Sequence, residues 1–104
     1  MIVLDKSICP RFEKAMGLLS QRWTGMIIYQ LLLGSERFCT IEESIGISGR
    51  MLSERLKDLE RKGIVRREVF PETPVRIEYS LTKKGKALEP IIKHIEKWSQ
   101  NWMD

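Results

Sequence analysis

The sequence is poor in the residues that build metal sites and covalent frameworks. It has one histidine, His94, and two cysteines, Cys9 and Cys39, in 104 residues. Two isolated cysteines match neither a disulfide framework nor a zinc-ligand spacing, and the carboxylates are not clustered beside the histidine. No metal and no cofactor is therefore expected. There is no Gly-rich phosphate loop and no base at readable spacing from Cys9, so catalysis is not expected either. Apolar runs are short, and none approaches the length of a membrane span. The opening MIVLDK reaches Asp5 after three apolar residues, which excludes a secretory leader of the usual kind. Internal repeats, low-complexity tracts and linkers are also missing, so a single domain is expected over residues 1–104. With so few cysteines, the reducing cytoplasm is the expected compartment.

What remains is an ordinary globular composition with a net charge of +4. That charge favours an anionic partner only weakly, and the placement of the cations has to decide. Pro10 suits the first turn of a helix, and Phe12, Ala15, Met16 and Leu19 follow at helical spacing. A second helix, from about Thr24 to Leu33, is apolar on most sides. Thr40 with Glu43 three residues later reads as a capping box that starts a short helix ending at Gly46. Ser48 then caps a helix that runs to Gly63, placing two helices around a turn at Gly46-Ile47.

After Gly63 the periodicity changes from helical to alternating. IVRREVF and VRIEYSL read as two strands joined by the proline-pinned PETP, with Val75, Ile77 and Tyr79 on one side and Arg76, Glu78 and Ser80 on the other. Thr82 begins a last helix, in which Pro90 should produce a kink or a restart. The predicted fold is mainly α with a small β-hairpin wing. It is a winged helix-turn-helix flanked by N- and C-terminal dimerisation helices. The recognition helix falls at about 48–62, the wing at 64–80 and the terminal dimerisation helix at 82–103. An unrelated small α+β domain is the alternative.

The helix after Ser48 carries the strongest functional signal. At about 100° per residue, Leu52, Leu56 and Leu59 share one stripe, while Arg50, Glu54, Lys57 and Arg61 share the other, with Ser53 on its flank. A solvated face with i,i+4 pairs such as Arg50–Glu54 is the plain reading. Lys57 and Arg61 repel at that spacing, however, and a phosphate backbone would relieve the repulsion. Ser48 and Gly49 are small enough to let the helix N-terminus approach a duplex, where Arg50 can reach guanine O6 and N7. Arg76 in the wing, with Arg66 and Arg67 before it, would touch the DNA backbone.

Leu88, Ile91, Ile95, Trp98 and Trp102 form a narrow seam with steps of three and four, suited to a partner helix or to the domain's own core. Phe12 and the segment from Ile2 are expected to share the same interface. Trp23, Met26, Trp98 and Trp102 could line an effector groove, although such residues are more often core. Cys9 precedes a helix N-terminus, with Lys6 and Arg11 close in sequence. Both the helix dipole and the cations favour the thiolate, but a packed, inert thiol is the equal alternative.

Cys9-Pro10, Trp23, Arg37-Phe38, the Met51–Glu60 helix, Pro71–Pro74, Tyr79-Ser80-Leu81-Thr82 and Gly85 fall in register with one family. From Cys9 to Pro90 the chain resembles the HxlR-type winged-helix transcription regulators of bacteria, cousins of the MarR group. The resemblance implies a homodimeric repressor or activator that binds an inverted-repeat operator in double-stranded DNA. Such regulators often govern genes that detoxify reactive carbonyls, quinones or oxidants. It also favours Cys9 as a sensor of a small electrophile or oxidant, because a cysteine there has that role in several relatives. Cys39 lies where relatives usually carry another residue and is either a resolving partner for Cys9 of a second subunit or a packing residue. Gly49 departs from the longer polar residue common in relatives, so the operator cannot be inferred from them. A winged-helix module binding protein or RNA without redox sensing is the competing function.

Overall fold

The computed structural model describes residues 9–104. Helices α1 (Pro10–Ser20) and α2 (Thr24–Leu31) lead into a two-residue strand β1 (Glu36–Arg37) and helix α3 (Phe38–Ile45). Helix α4 (Gly49–Arg61), strands β2 (Val65–Phe70) and β3 (Arg76–Leu81), the single turn α5 (Lys83–Lys86) and helix α6 (Glu89–Trp102) complete the chain. The strands form one antiparallel sheet in the order β1-β3-β2.

Helix α2 is the centre of the core, with Ile27 and Ile28 fully buried and Leu31 nearly so. It ends earlier than its apolar sequence suggests, and Leu33 is exposed. Ile41 from α3, Leu52, Leu56 and Leu59 from α4, and Ile64, Val65 and Leu81 from the sheet close around it. Helix α6 adds Ile92 and is tied to α2 by a hydrogen bond of 2.5 Å, donated by Tyr29 Oη to Glu96 Oε2. That bond to a carboxylate raises the Tyr29 pKa above its ordinary value.

The turns around α4 explain its sharp limits. Gly46 ends α3 in the left-handed conformation (φ 70°), donating its N–H to Glu42 O at 3.0 Å. Ser48 caps α4 as expected, its Oγ accepting the Met51 N–H at 3.2 Å. Gly63 (φ 75°) lets Ile64 N–H reach back to Leu59 O at 2.9 Å, which satisfies a terminal carbonyl and turns the chain into β2.

Three expectations need correction. The Thr40–Glu43 pair does not start α3. The helix begins at Phe38, immediately after Glu36 and Arg37 pair with Tyr79 and Glu78, leaving Thr40 exposed inside the first turns. This same pairing turns the expected hairpin into a three-stranded sheet. Val75 falls outside β3 and is exposed, although Ile77 and Tyr79 do share the face of Val65 and Leu81. Finally, the segment from Thr82 is two helices. Thr82 Oγ1 caps the short α5, and the chain restarts as α6 with Pro90 in its first turn, where the missing N–H needs no partner.

Candidate nucleic-acid interface

Helix α4 is held to the body along its leucine stripe and on one flank. Its leucines Leu52, Leu56 and Leu59 are at most 1% exposed. On one flank Arg55 Nε donates to Arg22 O at 2.9 Å, joining α4 to the turn between α1 and α2. At its end Asp58 accepts from Lys62 Nζ at 2.9 Å and lies 3.4 Å from Arg61. The hydrogen bond from Lys62 is the main reason the Asp58 carboxyl lies below its ordinary range, with Arg61 assisting and burial opposing.

The remaining side projects from the body. Arg50, Glu54, Lys57 and Arg61 are exposed, and Ser53 is half-buried beside them. Arg50 and Glu54 do not form the i,i+4 pair that their spacing allows, and among the described residues neither Arg50 nor Lys57 has an ion-pair partner. Arg61 is drawn to Asp58, one turn back, which moderates its repulsion with Lys57. Ser48 is engaged as the cap. Gly49 packs its backbone against α3, where an added Cβ would come 2.9 Å from Glu42 Oε2.

Arg67 is the residue whose importance the sequence understates. It shares a notch of about 300 Å³ with Ser53, Lys57, Glu60 and Tyr79. The cross-strand pair Arg67↔Tyr79 shares a face with Val65↔Leu81, two residues along, and that face is turned toward the core and α4. Strand alternation carries this signal once the register is known. Arg76 is placed otherwise than expected. It is only 26% exposed, lies 3.9 Å from the centroid of the Phe70 ring, pairs with Glu72 at 2.8 Å and also pairs with Glu78. Those carboxylates raise its pKa further above the ordinary arginine value. Arg76 is thus a compensated charge, unlike the exposed Arg66 and Arg67.

The seam on α6 also faces outward. Ile91, Ile95, Trp98 and Trp102 are 44–73% exposed, while Ile92 and Glu96 turn toward α2. Leu88 departs from this seam: it is half-buried against the core, since it precedes α6 and packs beside α5. Phe12 is exposed on α1. Cys9 forms the N-cap of α1 without a side-chain bond there, and Cys39 lies in the first turn of α3; both thiols are free and exposed. Lys6 and the segment from Ile2 fall outside the described residues. A cleft of about 560 Å³ lies beside α2 and α6, lined by Trp23, Met26, Tyr29, Ile92 and Ile95 among others. Trp98 and Trp102 do not line it, although Ile95 of the same seam does.

Two helices in a tight turn, the second exposing a polar stripe, followed at once by a hairpin, define a winged helix-turn-helix protein. The HxlR-like helix-turn-helix family matches residues 18–104, and the chain belongs to that family. It is 61% identical over 101 residues to the HTH-type transcriptional regulator YvaP of Bacillus subtilis, covering 96% of this chain and 94% of that protein. It is 44% identical over 102 residues to the regulator YodB of the same organism, covering 97% and 91% of the two chains. The reduced form of YodB superimposes with a TM-score of 0.83 at 45% identity, over 94% of this chain and 97% of that one. YodB is also known in diamide-treated and quinone-bound forms. The redox regulator HypR in its oxidised form superimposes with a TM-score of 0.84 at 36% identity, over 92% and 99% of the chains. The family's relatives are HTH-type transcriptional regulators, and no helix among the described residues is long and apolar enough to cross a membrane.

Proposed function

We propose that the chain is a homodimeric, sequence-specific DNA-binding repressor that releases its operator when Cys9 reacts with an electrophile or oxidant. One observation carries the DNA reading: α4 buries its leucines completely and projects Arg50, Glu54, Lys57 and Arg61 outward, with two cations unpaired among the described residues. In this reading Arg50 reads a guanine edge, Ser53 and Glu54 contact base edges, and Lys57 and Arg61 meet phosphate. Ser48 and Gly49 allow the helix start to approach the backbone.

The dimer reading rests on two unpartnered surfaces. Helix α1 contains no buried residue, and the outward stripe of α6 is apolar. A contiguous surface of this kind marks an interaction site. Phe12 and the α6 seam would meet their equivalents about a two-fold axis, setting two α4 helices one DNA turn or a multiple apart on an inverted repeat.

The sensing reading rests on the exposed Cys9 thiol at the start of α1, and on the solved diamide-treated and quinone-bound forms of the similar YodB. The Cys9 thiolate would add to a quinone ring carbon. The proton displaced from that carbon moves to one ring oxygen and a proton from water goes to the other, leaving a substituted hydroquinone. Diamide would take two hydrogens from a thiol pair, leaving a disulfide and the corresponding hydrazine. In this reading Cys39 of a second subunit completes that pair, and the reducing cytoplasm is where both thiols would rest.

Fluorescence anisotropy on a duplex selected from a random pool tests the proposal. Wild-type binding should weaken steeply with salt, lose sequence preference in Arg50→Ala, and fall after quinone treatment except in Cys9→Ser. A flat salt dependence would favour a protein-binding module instead. Equal loss of binding in quinone-treated Cys9→Ser would remove the sensor role and leave DNA recognition standing.

A further inference from the structure

The wing does not carry uniform charge. Its base holds the exposed Arg66 and Arg67, with the pair Glu68↔Glu78 one register step further out and Arg37 of β1 opposite Glu78. Beyond them the tip, residues 69–77, holds only Glu72 and Arg76, one acid against one cation, and so has no net charge. From Arg67 to the turn is roughly 10 Å along a strand, somewhat more than the ~8 Å screening length at physiological salt. A phosphate at the tip would therefore meet no net positive charge, unlike one at the base.

Arg76 shows how this tip is built. Its Nε and Nη2 donate to the Glu72 carboxylate at 3.3 and 2.8 Å, its Nη1 donates to Glu78, and its plane covers Phe70, its cross-strand partner. Glu72 lies in the turn, Glu78 on β3 and Phe70 at the end of β2, so one guanidinium ties the turn to both arms of the hairpin. To reach a phosphate, Arg76 would have to leave at least one of these partners and expose an uncompensated carboxylate to the same phosphate.

We propose that the wing meets DNA only at its base, through Arg67, and that Arg76 is a positioning residue whose charge is taken up in closing a tip held away from the phosphate backbone. This rests on the DNA reading above and specifies which part of the wing takes part. Arg67 is the suited cation because its notch joins it to Ser53 and Lys57 of α4, two cations against the single carboxylate of Glu60.

The test measures duplex affinity against salt concentration for the wild type, Arg67→Gln, Arg76→Gln, Arg76→Lys and Glu72→Gln. Loss of one phosphate contact should flatten the log–log slope by about 0.9 in Arg67→Gln. The slope should be unchanged in Arg76→Gln, and Glu72→Gln should bind more tightly. Arg76→Lys should behave like Arg76→Gln, since an ammonium cannot reproduce the forked, ring-covering geometry. A flattened slope in Arg76→Gln that Arg76→Lys restores, or an unchanged slope in Arg67→Gln, would overturn the proposal. So would Glu72→Gln binding no more tightly than wild type. Amide hydrogen exchange without DNA separates the two layers: Arg76→Gln should speed exchange around residues 71–75 even if no duplex binds. Unchanged exchange there would overturn the positioning role, whereas failure of the wild type to bind any duplex would sink the underlying DNA reading.

Discussion

Gly85 should be among the least replaceable residues of the chain, and Gly85→Ala tests how the wing is anchored to the terminal helices. Gly85 lies in α5 with its Cα against Ile64, just before the start of β2. A Cβ there would fall far inside van der Waals contact of the Ile64 carbonyl oxygen, and 3.1 Å from Leu81 Cδ2. The carbonyl cannot easily retreat, because it accepts from Thr82 N at 3.0 Å and from Thr82 Oγ1 at 3.2 Å. Overpacking of a fixed site costs up to about 3 kcal/mol, and the better helix propensity of alanine returns roughly 1 kcal/mol, leaving about 2 kcal/mol of destabilisation. For a domain of this size that is a fall in Tm of roughly 8–16 °C. Thermal denaturation followed by circular dichroism, at one protein concentration because a dimer links Tm to concentration, provides the assay. Gly49→Ala is the internal control. Its Cβ would meet only the far end of the Glu42 side chain, at 2.9 Å, which can swing away, so its Tm should stay within about 4 °C of wild type. A Gly85→Ala protein as stable as wild type would refute the packing argument.

Three further outcomes follow from other parts of the molecule. Trp98→Glu alters an outward residue 57% exposed in the single chain, so ultracentrifugation should show a monomer with an unchanged circular dichroism spectrum; a persistent dimer would place the interface elsewhere. The Asp58 carboxyl is held low mainly by the hydrogen bond from Lys62, so its contribution to stability is present above the ordinary carboxylate range and is lost as pH falls through its lowered value. Asp58→Asn should therefore be less stable than wild type at pH 7, with the gap closing as the solution is acidified below about 4, and a gap independent of pH would contradict that cause. After diamide, non-reducing electrophoresis should show a dimer-sized band absent from both Cys9→Ser and Cys39→Ser. No band in the wild type, or a band surviving in Cys39→Ser, would exclude the Cys9–Cys39 pairing between subunits.

Much of the helical part of the fold is legible in the sequence because those boundaries have local causes. Ser48 caps α4, Gly46 and Gly63 supply left-handed turns, and Pro90 forces a restart where α6 begins. The leucine stripe of α4 gives both its buried side and, by subtraction, its outward side. What the sequence hides depends on distant partners. Two residues cannot announce themselves as a strand, and β1 exists because β3 offers Glu36 and Arg37 an edge; that pairing moves the start of α3 ahead of the Thr40–Glu43 pattern. Arg76 and Arg67 look alike as wing arginines. Only the hairpin register gives Arg76 two carboxylates and a ring while turning Arg67 toward Lys57. The outward seam of α6 has a helical period that suits a core equally well, and its exposure alone separates the two.

Methylation interference at guanine N7, on a duplex selected by the wild-type protein, tests the central claim most directly, because that atom is reached from the major groove. The account predicts two clusters of interference, related by the two-fold symmetry of the site and separated by one helical turn or a multiple, with the guanine read by Arg50 losing its signal in Arg50→Ala. Binding indifferent to N7 methylation, or a pattern unchanged in Arg50→Ala, would contradict it.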